Sequence, residues 1–129
     1  MKHPSDREQA AILALDGPAR HNHFVKTICD WEEVWALENE GWALAGEADG
    51  PDAFALWPAR AYAELCAREA WADFIPVALP LEELMSALLP QLARDGLLVA
   101  VFPTPGSRAP LVDPLDLRDR IDAALEEYR

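Results

Sequence analysis

Positive charge is scarce in this sequence. Its 129 residues include 11 lysines and arginines against 23 aspartates and glutamates, so the formal net charge is −12. Residues 31–58 hold seven acidic residues and no lysine or arginine. Binding to nucleic acid or to an anionic membrane requires basic groups that neutralise phosphates, so this balance argues against both. An acidic surface favours encounter with a basic protein surface instead, although the charge could equally serve only to maintain solubility.

Cysteines and long apolar runs are also few. Two cysteines, Cys29 and Cys66, cannot build a disulfide framework. The N-terminal stretch MKHPSDREQAAILALDG is interrupted by charges and glycine, unlike a secretory leader. The longest apolar candidate, GLLVAVFP, is much shorter than the roughly 18 to 20 residues needed to cross a bilayer. We therefore expect a soluble, cytoplasmic protein with no membrane partner.

Common catalytic motifs are missing as well: G-x-S-x-G, the P-loop, G-x-G-x-x-G and C-x-x-C. His21 and His23 would point about 200° apart on a helix, so they cannot share a metal with Cys29 unless the helix bends. Cys66 falls on the inferred buried side of its helix, where a thiol behaves as a small hydrophobic group. We expect no catalytic residue, no metal and no cofactor, and we favour a protein that is not an enzyme.

Pairs of adjacent acids also allow two interpretations. Such pairs could in principle do acid–base chemistry, but they more often form a solvated face or complement a helix dipole. The three pairs of this kind are Glu32 with Glu33, Glu82 with Glu83, and Glu126 with Glu127.

Capping and apolar spacing predict where helices occur. Ser5 and Glu8 fit a capping box at the start of a short helix, and apolar residues at three- and four-residue intervals predict a second helix over about residues 18–30. Later helices should start at prolines, the last one at Pro114 with Asp113 as its cap. Pro90 should kink or end the helix in which it lies, because it removes a backbone hydrogen bond.

Turn signals predict the strands. ENEG separates two apolar runs and predicts a hairpin in which Leu37 pairs with Trp42, so that Trp35 and Leu44 share their buried face. AFALW extends this hairpin to an antiparallel meander of three strands over residues 34–57. A further strand is predicted near residues 74–79, and LLVAVF, apolar on both faces, should be a central strand.

These elements define the predicted fold. We expect residues 1–129 to form a single α+β domain that begins with a helical pair. Its three-strand antiparallel meander and two further strands should lie in one sheet packed with helices.

The acids of the meander fall on its turns, where they would be exposed. Trp35 and Trp42 are expected in the core, whereas Trp57 and Trp71, both at element ends, could belong to the core or to a site. The predicted partner-binding residues are Glu38, Glu40, Asp49, Asp52 and Trp57.

Four blocks of sequence carry a family resemblance: DWEEVWALENEGWAL, LWPARAYAELCAREAW, FIPVALPLEELMSALLPQL and DGLLVAVFPTP. In this order they resemble the bacterial domain-of-unknown-function family 2750, over about residues 20–128. This resemblance implies no activity, cofactor or catalytic residue. A fainter similarity to the N-terminal domain of the SseB (enhanced serine sensitivity) family rests on element order and on LVDPLDL, while LWP and VFPTP depart from its pattern. It implies an α+β fold and, by analogy alone, protein binding.

Three functions compete at this stage. The first is a non-enzymatic interaction module of immunity or regulatory type, which binds a basic protein surface through the acidic meander. The second is a small-molecule or enzymatic site in a cleft between sheet and helices, suggested by Trp57, Tyr62 and the histidines. The third is self-association, for example as a homodimer, through an uncovered AFALW strand edge.

Overall fold

A computed structural model describes residues 4–46, 52–105 and 109–127. Its α-helices are α1 (Asp6–Leu13), α2 (Gly17–Trp31), α3 (Arg60–Cys66), α4 (Leu81–Glu83), α5 (Leu89–Arg94) and α6 (Pro114–Glu126). Its strands are β1 (Glu33–Glu38), β2 (Leu44–Gly46), β3 (Asp52–Leu56), β4 (Ile75–Pro80), β5 (Leu98–Val101) and β6 (Leu111–Val112). A 3₁₀ turn covers Glu69–Trp71, and a π-helical segment covers Leu84–Leu88. The predicted α+β class is confirmed.

The strands form two sheets, which corrects the predicted single sheet. In one, β1 pairs with β4 in antiparallel orientation over six residue pairs. In the other, the order is β2–β3–β5–β6, with β3 and β5 parallel. The sheets are joined where Trp35 and Trp57 exchange backbone hydrogen bonds of 2.9 and 2.8 Å. β2 is only three residues long, so the six residues of β1 find a full-length partner only in β4.

The register of the β1–β2 hairpin differs from the prediction by one residue. Glu38, not Leu37, lies opposite Trp42, and the loop is residues 39–41. Glu40, the middle residue of this loop, has a positive φ of 57°. Since a shift of one residue exchanges the faces of a strand, Leu44 is 42% exposed while Ala43 is buried.

Local capping follows the sequence closely. The Ser5 hydroxyl accepts a hydrogen bond from the Glu8 amide at 3.2 Å at the start of α1. The Asp16 carboxylate accepts from the Ala19 amide at 2.8 Å in α2, and Asp113 caps α6 as predicted. These caps satisfy amides that have no partner within the helix.

Pro90 does not end its helix, contrary to one of the two predicted outcomes. The chain stays helical from α4 through the π-helical segment into α5, and the Leu89 amide donates to the carbonyl five residues earlier, at Leu84. A proline lacks an N–H and its ring collides with the carbonyl four residues before it. The wider π turn directly before Pro90 accommodates both effects.

The buried side chains form one cluster between the sheets and the helices. Its largest members include Trp57, Tyr62, Phe24 and Phe54. β5 lies between β3 and β6 with Val99, Ala100 and Val101 buried, which confirms LLVAVF as a central strand. β3 has a neighbour on both sides, so the AFALW segment offers no open edge for self-association. Among the described residues, no helix has the length and apolarity needed to cross a membrane.

The outer edge of β4 pairs with no strand of the described residues. The Leu81 amide donates to the Glu32 carbonyl, so the amides two, four and six residues earlier also point toward β1. The backbone groups of the alternate residues, Pro76, Ala78 and Pro80, point away from β1 toward the outer edge. Two of these three residues are prolines, which have no N–H. The outer edge is therefore poor in donors, a common defence of edge strands.

Candidate partner-binding surface

The tip of the β1–β2 hairpin carries two of the predicted acids. Glu38 ends β1 and is partly buried, while Glu40 lies in the loop and is exposed. Neither carboxylate forms an ion pair with any described residue; Arg60 and Glu64, which do form one, both lie on α3. No described cation therefore competes with an external partner for either carboxylate.

A third predicted acid, Asp52, begins β3 and is exposed opposite Gly46. Asp49 lies outside the described residues. Leu44, in the strand that pairs with β3, stands opposite Phe54 and is among the exposed large apolar side chains.

The most exposed large apolar side chain among the described residues is Ile75. It is 62% exposed and lies directly opposite Glu38 in the β1–β4 pairing. The sequence did not single it out, since the apolar run around it predicted only a strand. We call Glu38, Glu40, Leu44, Asp52 and Ile75 the hairpin surface.

Trp57 does not belong to this surface, which corrects its predicted role in partner binding. The side chain is fully buried, and its indole N–H donates to the Pro103 carbonyl at 2.8 Å. The ring of Trp71 packs against it edge-on, with the centroids 5.9 Å apart. The indole is held in the core because β3 leads directly into it and its backbone pairs with Trp35.

Trp35 and Trp42 are half-buried rather than fully enclosed. The Trp35 indole donates to the Glu33 carboxylate at 3.1 Å, and the Arg60 guanidinium lies 5.8 Å from the centre of its ring. Trp42 packs at a tilt against Phe54 with ring centres 5.4 Å apart. Both indoles pack against the core without being fully buried in it, so the prediction that they are core residues is met only in part.

The histidines and cysteines lie in surroundings that disfavour charge. Burial lowers the pKa of His21 and of His23, and Arg120 also lowers that of His21. Burial raises the pKa of the Cys66 thiol, which donates to the Pro103 carbonyl at 3.2 Å. Burial also raises the pKa of Cys29. Within the described ranges, no group of three or more His, Cys, Asp or Glu residues is arranged to hold a metal ion.

Tyr62 is also enclosed. It is 2% exposed, and its ring centre lies 4.9 Å from that of Phe102, a residue with a left-handed backbone (φ 57°). Burial raises the pKa of Tyr62 to about 12, and its hydroxyl has no hydrogen-bond partner among the described residues. Trp57 and Tyr62, which suggested a cleft between sheet and helices, are therefore both core side chains.

Comparison with known families identifies the chain. The model of a family described as "Protein of unknown function (DUF2750)" matches residues 21–121, more than half of the chain. The chain belongs to the DUF2750 family. The first resemblance is thus confirmed, and the similarity to the SseB domain stays a prediction. A search of curated proteins finds no match for this DUF2750 chain.

The DUF2750 match spans the whole hairpin surface and also a second acidic group that sequence reasoning missed. Glu33 lies opposite Pro80, and the Leu81 amide donates to the Glu32 carbonyl at 3.0 Å. Glu82 and Glu83 follow directly, so two acidic pairs distant in sequence meet at the other end of the β1–β4 ribbon. Each pair of adjacent acids can be recognised in the sequence. The two pairs come together only because β1 pairs with β4, and the sequence did not predict that pairing.

Proposed function

We propose that this protein is a non-enzymatic, cytoplasmic interaction module of immunity or regulatory type that binds a basic protein surface through its hairpin surface. The observation that carries the proposal is the pair formed by Glu38 and Ile75. An unpaired carboxylate stands there beside the most exposed large apolar side chain of the described residues.

Charge and apolar area supply different parts of the binding. Unpaired acids at the hairpin tip attract a cationic patch from a distance and raise the association rate, an effect that salt screens. Ile75 and Leu44 supply apolar area that a partner can cover. Full burial of such a side chain contributes about 1.5 to 3 kcal/mol, so burying the exposed part of Ile75 contributes roughly 1 to 2 kcal/mol.

The same charge balance limits the kinds of partner. With 23 acidic residues against 11 basic ones, the chain has little with which to neutralise a phosphate backbone or an anionic lipid surface. A protein that presents lysines or arginines around an apolar centre is the partner that fits both features of the hairpin surface.

The experiment compares charge reversals at two places. Purified wild-type protein, the Glu38→Lys/Glu40→Lys variant and the Asp119→Lys/Asp122→Lys variant are used to capture proteins from the native host. The control pair lies exposed on α6 and changes the net charge equally. We expect a basic protein that is captured by the wild type and the control but not by the hairpin variant, and that is released at high salt.

Capture that is equal for the hairpin variant and the control would refute a role for the hairpin surface. Capture that does not change with salt would refute the electrostatic part of the proposal. Ile75→Ser provides a second test, because it leaves the charge unchanged and should accelerate dissociation of the same partner.

A further inference from the structure

A cleft of about 330 Å³ is lined by residues of α2 and α6 and by Glu127, and it shares no residue with the hairpin surface. This volume is near the lower end of the range found for small-molecule sites. The cleft is lined by Asn22, Val25, Lys26, Arg120, Ala124 and Glu127.

Two cations from different helices face this cleft. The Arg120 guanidinium donates to the Asn22 side-chain oxygen at 3.1 Å, which leaves its other N–H groups free of partners among the described residues. Lys26 is exposed and makes no hydrogen bond or ion pair with a described residue. Glu127 also lines the cleft, yet it pairs with neither cation.

The charge of the cleft contrasts with that of the chain. Lys26 and Arg120 against Glu127 give a lining charge of +1, whereas the whole chain carries −12. Acidic residues outnumber basic ones about two to one, yet no described carboxylate lies within ion-pair distance of either cation. These cations are therefore available to an external anion.

The floor of the cleft is apolar. Val25 is 1% exposed and Ala124 is 8% exposed, so the polar groups surround a small hydrophobic base. A guanidinium fork held by an amide suits a planar oxyanion, which it can bind with two parallel hydrogen bonds. An ammonium group nearby adds a second, more mobile positive charge.

We propose that this cleft binds a small organic oxyanion. Its carboxylate or phosphate group contacts Arg120 and Lys26, and its apolar part lies on Val25 and Ala124. The site is separate from the hairpin surface, so either proposal can fail without the other.

The test is a titration of the full chain, followed by two-dimensional ¹H–¹⁵N NMR. The probes are inorganic phosphate, phenyl phosphate and hexanoate, each added to about 10 mM, which detects dissociation constants in the millimolar range. We expect saturable shifts of amides in α2 and α6 around the lining residues. Phenyl phosphate should bind more tightly than inorganic phosphate, because only the former has an apolar part. A stronger response to hexanoate would identify a carboxylate as the preferred group.

Three single variants complete the test. Arg120→Gln and Lys26→Gln should each weaken binding of the best probe about tenfold, the usual effect of losing a charged hydrogen bond. Lys26→Gln removes no hydrogen bond or ion pair with a described residue, so the variant should fold like the wild type. Arg7→Gln on the exposed face of α1 removes the same charge and should change the affinity less than about twofold.

Several results would overturn the proposal. One is the absence of saturable shifts in α2 and α6 with all three probes. Another is equal weakening by Arg7→Gln, which would indicate a general effect of net charge. A third is unchanged affinity in both cleft variants.

Discussion

The Pro103 carbonyl is a buried acceptor with two side-chain donors, and this arrangement predicts a coupling between Trp57 and Cys66. The Trp57 indole donates to it at 2.8 Å and the Cys66 thiol at 3.2 Å. Pro103 itself is buried, so its oxygen depends on these donors rather than on solvent. Either donor alone still satisfies the carbonyl, but removing both leaves this buried residue's carbonyl without a donor among the described residues.

The expected magnitudes follow from this geometry. Trp57→Phe loses one buried hydrogen bond, about 1 kcal/mol, and leaves a void that costs about 1 to 2 kcal/mol more, so the free energy of unfolding should fall by about 2 to 3 kcal/mol. Cys66→Ala loses a weak bond and part of a half-buried side chain, about 1 kcal/mol. The double variant should lose about 1 kcal/mol more than the sum, because an unsatisfied buried carbonyl costs about 1 to 3 kcal/mol.

Urea unfolding followed by circular dichroism measures all three changes. Trp42→Phe is the matched control for the loss of an indole, since that ring is half-buried and far in sequence from Pro103. Combined with Cys66→Ala, it should give additive effects. Additivity of the Trp57 and Cys66 changes to within about 0.5 kcal/mol would refute the shared-acceptor argument.

Two further predictions concern Tyr62 and the edge of β4. Because the buried Tyr62 hydroxyl has no hydrogen-bond partner in the described part of the chain, Tyr62→Phe should cost less than about 0.5 kcal/mol at neutral pH. Its pKa is raised from 10.0 to about 12, so the wild type should lose stability as pH rises through this interval and the variant should lose less; equal alkaline losses in urea unfolding would contradict this. Pro76→Val/Pro80→Val adds two outward amide donors to β4 and should promote self-association, measured by light scattering, whereas Pro105→Val in an exposed loop should not. A monomeric double variant at high concentration would contradict the second prediction.

The parts of the fold that depend on neighbouring residues were predictable. Ser5 and Asp113 cap their helices because the side chain and the amides it binds are two or three residues apart. The central position of β5 follows from its apolar residues on both faces. Such signals need no knowledge of which distant segment lies nearby.

The partner of β1 was not predictable in this way. Its pairing with β4 joins residues 33–38 to residues 75–80, and nothing within either segment specifies the other. The errors at the candidate site have the same cause, because they too depend on contacts between segments that are distant in sequence. Glu40 lies in the turn as predicted, whereas Glu38 is the last residue of β1, and Ile75 reaches Glu38 only through the β1–β4 pairing. The position of Trp57 at an element end left both core and site open, and it was included among the partner-binding residues; its contacts with Pro103 and Trp71 enclose it instead.

The π turn before Pro90 has a consequence for chain length. The buried leucines of this helical stretch are Leu81, Leu84, Leu89 and Leu92, at intervals of three, five and three residues. A regular α-helix keeps one face with intervals of three and four, so the turn absorbs one surplus residue. Deleting the exposed Ala87 together with Pro90→Ala should restore intervals of three, four and three and keep all four leucines in the core. This helix is thus a position where the chain can lose a residue without changing which side chains it buries.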